Sequence, residues 1–384
     1  MTTPPLHVCI ATGQNLANLI PALQCAATQA WVLRTPAMRA SAAHLAGALK
    51  ARGIDVHIVD FADDVVTTLH AQAEAIAERL DGRAVTINLT GGTKLMTLAL
   101  VQTLAEHLKT APKAEPPHLL YMDTVHRRLD WLAPAPCSEP MRSVLRIDDI
   151  LLAQGYRRRG GTDAAEWQRR AEDRGKLTRF MGENARPLGR FFGTLNHLAQ
   201  LALNELHGPW RREQQFEFAP GHKYAELLRS AQQQGLLHWD GDTQIVFHDR
   251  AAAAYIGGSW VEEYAGFKIS GMKPDGGWSP CLEIQHVDSG ATNEIDAVAV
   301  HGNRLLAVEC KAARGADDKV ADWIYKANQL ARSVGGHLAQ PLLLSARLLN
   351  PEHHQRAREY GVDVLDGAEL ARLPEYLRGW MAGD

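Results

Sequence analysis

Apolar residues in the first third of the chain fall in short β-rich runs, separated by longer stretches with helical spacing. LHVCIA, WVLRT, IDVHIVD, AVTINLT, HLLYMD and RRLDWLA read as strands. Ala37 to Arg52 and Val66 to Leu80 read as helices, the first closed by Gly53 and the second by Asp81-Gly82. Such alternation predicts a mostly parallel sheet covered on both faces, a Rossmann-like domain whose ligands lie beyond the carboxyl ends of its strands.

Two loops occupy those strand ends. Thr12-Gly13-Gln14-Asn15 follows the first strand; Asn88 ends the fourth, and Thr90-Gly91-Gly92-Thr93-Lys94 follows it. Paired glycines let backbone amides approach a ligand, the helix start directs further amides outward, and Thr90, Thr93 and Lys94 add donors suited to phosphate. Taken alone, this loop is equally a plain helix-start turn. It is neither a Walker A motif nor a GxGxxG fingerprint, so neither triphosphate hydrolysis nor hydride chemistry is supported.

The stretch from Pro134 to Ile147 (with PAPCSEP) reads as a boundary. A basic helical region follows, with Arg157-Arg158-Arg159, Arg169-Arg170 and Arg211-Arg212. YAELLRSAQQQGLLHWDGDTQIVFH then gives helix, strand, Asp-Gly turn and strand, the order of a winged helix. Two readings stay open: a module resting on nucleic-acid phosphates, or a spacer whose arginines solvate its surface. Trp210, Trp239 and Phe247 read as core.

Between Asn293 and Ala312, NEIDAVAVHGNRLLAVECKA places two alternating runs around Gly302-Asn303, a pair suited to a tight hairpin turn. If His301 faces Arg304, Asp296 faces Glu309 and Glu294 faces Lys311, all on one side of the ladder. Directly opposed carboxylates are destabilising. A magnesium or manganese ion explains them, with waters, a phosphate and a backbone carbonyl completing its oxygen shell. Lys311 shares the face, where a lysine can orient water and offset charge on a phosphate as its ammonium, or deprotonate water as its free amine. The plainer reading is a solvated hairpin face. Beyond the hairpin come a helix, DDKVADWIYKANQLARSV, ended by Gly335-Gly336, a buried strand in PLLLSARLL, a helix from Glu352 to Tyr360 and a strand, GVDVLD.

Composition narrows the picture. With 384 residues and a net charge of -3, two or three domains fit, and contact with nucleic acid must come from local basic patches. Five cysteines without CxxC spacing suggest neither zinc site nor disulfide framework. The histidines show no metal-ligand spacing. Without a signal peptide or long apolar span, the expectation is a soluble cytoplasmic protein with no membrane partner.

The hairpin pattern, with Glu262 upstream in GGSWVEEYAG at the head of a predicted helix, resembles the PD-(D/E)xK nuclease superfamily, Ile295 standing where the proline of its name would be. The resemblance implies that Glu262, Asp296, Glu309 and the Cys310 carbonyl hold Mn2+ or Mg2+ and that Lys311 helps activate water. Phosphodiester hydrolysis would then leave a 5′-phosphate and a 3′-hydroxyl. Tyr325 and Lys326 either meet the scissile strand or, for Tyr325, pack beneath the sheet. INLTGGTKLMTLAL and ATGQNLANLIPAL resemble the CARF domain of type III CRISPR accessory proteins. That resemblance implies a homodimer with a cyclic oligoadenylate, cyclic tetra-adenylate by family, lying between two copies of Thr12 to Asn15 and Asn88 to Lys94. The expected organisation is a CARF sensor (1–140), a basic winged-helix-like connector (141–255) and a PD-(D/E)xK domain (256–384). The expected activity is ligand-activated, metal-dependent cleavage of DNA or RNA. Two other activities compete: a ligand-responsive transcription regulator, and a ring nuclease that degrades the messenger in the first domain.

Overall fold

A computed structural model describes residues 4–383 apart from 63–64, 111–114, 162–163, 204–209 and 313–316. The chain forms two compact units, one built mainly from residues 1–158 and the other from the remainder, with short segments around 285–291 and 334–337 returning to the first.

The first unit runs β1 (Leu6–Ile10), α1 (Leu16–Gln24), β2 (Gln29–Arg34), α2 (Arg39–Ala51), β3 (Asp55–Asp60), α3 (Val66–Leu80), β4 (Val85–Asn88) and α4 (Lys94–Thr110). It closes with β5 (His118–Asp123), β6 (Arg128–Ala133), β7 (Cys137–Pro140) and α5 (Ile147–Ala153). Strand order is β3-β2-β1-β4-β5-β6-β7. The first five strands are parallel, and β6 and β7 add antiparallel. β1 and β4 are buried at every position, including the polar His7, Thr86 and Asn88, as the central strands of a doubly covered sheet are. On α3, Leu69, Ala73, Ile76, Ala77 and Leu80 are buried along one stripe, and Asp81 ends the helix in the left-handed region at φ 47°. The order switches between β1 and β4, so their two following loops lie side by side where open α/β sheets take ligands. PAPCSEP, read as a boundary, instead supplies β7 to this sheet.

The second unit begins along β8 (Tyr156–Gly161) and continues through α6 (Ala164–Glu183), α7 (Ala185–Leu203), β9 (Glu213–Gln215), α8 (His222–Gln233), β10 (Leu237–Trp239), β11 (Gln244–Phe247) and α9 (Arg250–Ala254). A π-helical turn, Tyr255–Ser259, leads into α10 (Trp260–Met272). Then come β12 (Trp278–His286), β13 (Thr292–His301), β14 (Arg304–Lys311), α11 (Asp317–Gly335), β15 (Ala339–Ser345), α12 (Pro351–Glu359), β16 (Asp363–Asp366) and α13 (Leu373–Ala382). The order β16-β15-β14-β13-β12-β8 makes the main sheet, and β10-β11-β9 a small one beside α8, in the helix-and-hairpin arrangement anticipated for the connector. Phe191, Phe192, Leu227, Trp239 and Phe247 share one core with Trp260, Tyr264, Val308 and Leu344, so the connector and the main sheet are packed as one body. Among the described residues no helix is long and apolar enough to cross a membrane.

Candidate active site

Gly302 and Asn303 adopt φ 56° and 65°, the two positive angles of a two-residue hairpin turn. His301 faces Arg304, and the ladder runs in that register to Ala297 opposite Val308. Alternation sends Ala297, Ala299, Val308 and Cys310 into the core and leaves Asp296, Glu309 and Lys311 on the other side. Asp296 Oδ2 accepts from the Cys310 amide at 2.6 Å, which clamps the two strands where the carboxylates meet.

The Lys311 ammonium ties the group together. It lies 2.5 Å from Glu309 Oε1, 3.9 Å from Asp296 Oδ2, and donates to the Cys310 carbonyl at 3.0 Å. Glu294, its expected cross-strand neighbour, is exposed, and the lysine turns to the two inner acids instead. Glu309 is buried and takes a second cation, Lys326 of α11, at 3.4 Å. Sequence placed Lys326 only near a substrate strand; its helical position beside Glu309 becomes visible once α11 is seen against β14. Tyr325 does not pack beneath the sheet: it is 53% exposed and meets Tyr360 edge to face.

Glu262 sits in the first turn of α10. Burial, then the charges of Asp296 and Glu294, push its carboxyl up to about 7. Burial and the facing Glu309 likewise raise Asp296 to about 6. Burial works against the Lys311 ammonium, yet the charge and hydrogen bond of Glu309 hold it above its ordinary range. The Cys281 thiol, 3.8 Å from Glu262 Oε2 and pushed up to about 12 by burial, stays protonated as a weak donor. Glu263, next along α10, turns away into a buried cluster with Arg174 and Thr178.

The donor set is hard oxygen, the kind magnesium and manganese take. Carboxyls held above their usual range by burial and mutual repulsion favour a divalent cation that would relieve both. The fit is one of chemistry, because among the described residues no three His, Cys, Asp or Glu side chains are gathered as a preformed metal cluster. A pH dependence follows. Folding raises Glu262 from 4.5 to about 7 and Asp296 from 3.8 to about 6, so without metal the folded state binds more protons across that window. Stability contributed by the pair is therefore greatest below the unfolded values and falls as pH rises to about 7. A manganese ion held here would bind the ionised form, so its melting-temperature gain should be large near pH 8, small near about pH 5, and blunted in Asp296→Asn. Thermal melts with and without the ion check this; an equal gain in the variant would place the ion elsewhere.

The two candidate ligand loops are built from short polar side chains. Gly13, Gln14, Gly92, Thr93 and Lys94 are exposed and Thr12 is half-buried, its hydroxyl accepting from the Gln14 amide at 3.0 Å. Asn15 is buried and donates to the Ser41 and Ala153 carbonyls, both at 2.8 Å. Asn88 is a hub: it donates to Ala17 O and Asn18 Oδ1 and accepts from the amide and hydroxyl of Thr90. The Thr90 hydroxyl in turn accepts from the Met122 amide at 2.8 Å. These three residues brace the loops from within. Gly91 leaves no room for a Cβ against the Ile10 carbonyl, and at Gly92, with φ +81°, a Cβ would lie 2.8 Å from the Ile10 side chain. Thr93 caps α4 by accepting from the Met96 amide, so α4 begins with its free amides beside Lys94.

Comparison with known families decides what these two sites belong to. Residues 6–149 match the Card1 CARF domain, and residues 249–383 match the endonuclease domain described as Card1-like. The chain belongs to the CARF-domain endonucleases. In this endonuclease the CARF match contains both ligand loops, and the nuclease match contains Glu262, Asp296, Glu309 and Lys311. The fold is similar to that of Can2 from Sulfobacillus thermosulfidooxidans, solved with cyclic tetra-adenylate, at 20% identity over 98% of this chain and 97% of that one, TM-score 0.77. It is similar also to VC1899 from Vibrio cholerae, at 19% identity over 98% of both chains, TM-score 0.83. A type III CRISPR defence DNA nuclease activated by cyclic oligoadenylate matches all of this chain at 17% identity and TM-score 0.54, with 52% of its own length covered. No curated protein matches the chain.

Proposed function

We propose that this endonuclease is switched on by a cyclic oligoadenylate, cyclic tetra-adenylate among the ring sizes, and hydrolyses DNA or RNA with Mn2+ or Mg2+ in type III CRISPR defence. The observation that carries the reading is the Lys311 ammonium lying 2.5 Å from Glu309 Oε1 and 3.9 Å from Asp296 Oδ2, on one side of the hairpin. Support for the activator comes from the exposed Gly92-Thr93-Lys94 rim at the switch point and from Can2, solved with cyclic tetra-adenylate.

Glu262, Asp296, Glu309 and the Cys310 carbonyl would hold the metal, which when bound polarises a phosphate and acidifies water. The chain's own residues do the positioning. Glu309 and the Cys310 carbonyl fix the Lys311 ammonium, which faces the phosphate as charge builds on its oxygens. Lys326 braces Glu309 from α11 at 3.4 Å and so holds the acid in place. Water attacks phosphorus, the bond to the 3′-oxygen breaks, and the departing oxygen takes a proton. A homodimer suits the first unit: Leu95 (41% exposed) and Leu98 (56% exposed), one turn apart on α4, present apolar surface beside the ligand loop.

The test is one incubation of the purified protein with labelled single-stranded and duplex DNA and RNA, plus and minus cyclic tetra-adenylate and manganese, with light scattering on the same sample. Cleavage only when both are present is expected. Oligonucleotide binding with no cleavage would favour a regulator, and loss of the cyclic ligand during incubation a ring nuclease.

A further inference from the structure

Within the second unit a groove of about 490 Å³ follows one side of α7, lined by Arg190, Thr194, Asn196, His197, Phe218 and Arg347 among others. Arg190, Thr194 and His197 stand four and three residues apart and so share a helix face, with Arg186 extending the stripe one turn back. Arg190 and His197 are exposed, and Phe218 shows 51% of its surface to solvent. One carboxylate, Glu217, shares the wall with the two arginines, so the groove is net positive.

Its position matters more than its charge. Lys311 is in register with Ser345, and the Ala346 amide donates to the Lys311 carbonyl at 2.8 Å. The next residue is Arg347, whose amide and carbonyl are held by the Ser345 hydroxyl at 3.2 and 2.8 Å. A Cβ on Gly193 would overlap the Arg347 guanidinium, so glycine lets that side chain lie directly on α7. On the other side, the Asn196 amide donates at 2.6 Å to the carbonyl of Gly257, in the π-helical turn that leads into α10 and Glu262. The groove wall is thus fastened to β14, which carries Glu309 and Lys311, and to the turn before α10, which carries Glu262.

Resting on the nuclease reading above, we propose that this groove holds a single-stranded segment of the polynucleotide running from the active site. Arg190, Arg347 and His197 meet successive phosphates, and Phe218 stacks a base. A basic track with an exposed aromatic ring is what binds unpaired strands without sequence preference, since every base offers a π-face and a paired base does not expose it. Of the arginines singled out in the sequence, Arg157 meets Gln285, Arg158 meets Asp148, and Arg212 donates to the Phe247 carbonyl.

The experiment uses full-length protein carrying Lys311→Ala, with cyclic tetra-adenylate, manganese and fluorescein-labelled single strands of about 20 nucleotides, DNA and RNA. Arg190→Glu should weaken binding about 10-fold and lower the slope of log Kd against log salt by about 0.7 for each phosphate no longer neutralised. Phe218→Ala should weaken binding about 10-fold with no change in that slope. Both positions are exposed, so melting temperature and cyclic tetra-adenylate affinity should match the parent. Unchanged binding by both variants, when the parent binds, would overturn the groove and leave the nuclease reading standing. Equal weakening for a duplex with Phe218→Ala would overturn the single-strand assignment. A parent that binds no oligonucleotide, and a wild-type chain that cuts none, would overturn the nuclease reading itself.

Discussion

Replacing Lys311 by alanine is expected to lower ligand-stimulated cleavage by at least about 10³-fold, the scale on which a preorganised charge at a transition state is felt. The fold should survive. Breaking a buried ion pair costs about 3–5 kcal/mol when a charge is left uncompensated, but Glu309 keeps Lys326 at 3.4 Å. Glu309→Ala should be equally inactive, and there Lys311 retains Asp296 at 3.9 Å. In both variants, cyclic tetra-adenylate binding should be unaltered, since the residues lie in the unit that does not carry the ligand loops. The measurement is single-turnover cleavage beside calorimetric titration of the ligand. Wild-type rates in both variants would remove the site assignment altogether.

The second large effect concerns control. Lys94 and Lys311 belong to different compact units, so a ligand at one acts on the other through an equilibrium between arrangements of the protein. Raising activity about 100-fold requires that the ligand favour the active arrangement by about 2.7 kcal/mol. Lys94→Ala removes an exposed cation at the rim and should abolish stimulation without unfolding anything. Gly92→Val should do the same from the backbone side, because φ +81° and the Ile10 side chain leave no place for a branched residue. Neither change should touch the manganese-dependent thermal shift. Linkage is reciprocal, so an oligonucleotide bound to the Lys311→Ala protein should tighten cyclic tetra-adenylate by the factor of activation that resides in binding. Equal titrations with and without oligonucleotide would exclude this coupling.

Where the sequence spoke clearly, it did so through period and turn chemistry. Gly302-Asn303 fixed where the hairpin folds, and period two then carried Asp296, Glu309 and Lys311 to one side. The six N-terminal runs became six strands, five of them parallel and the sixth antiparallel, because each run is short, β-rich and bounded by turn residues. Short polar residues were less legible. Asn15, Asn88 and Thr90 have donors and acceptors that serve a ligand or a backbone carbonyl equally well, and only coordinates show them turned inward. Arginine pairs suffer the same ambiguity, for adjacent residues on a helix or strand point in different directions. The stripe actually displayed, Arg186, Arg190 and His197, is spread over three turns and carries no local signature. Likewise β7 is too short and too polar to announce itself inside a proline-containing segment.

Asn88 joins β4, the start of α1 and, through Thr90, the end of β5 by hydrogen bonds of 2.6 to 3.1 Å. A rim tied in this way has no slack to shape itself around whatever arrives. If two such rims face each other across a dimer, the distance between them would act as a gauge, touched on both sides only by a ring of the right span. Discrimination among activators would then be a matter of length rather than of base chemistry, and Asn88→Ala, by loosening the rim, would trade that selectivity for tolerance.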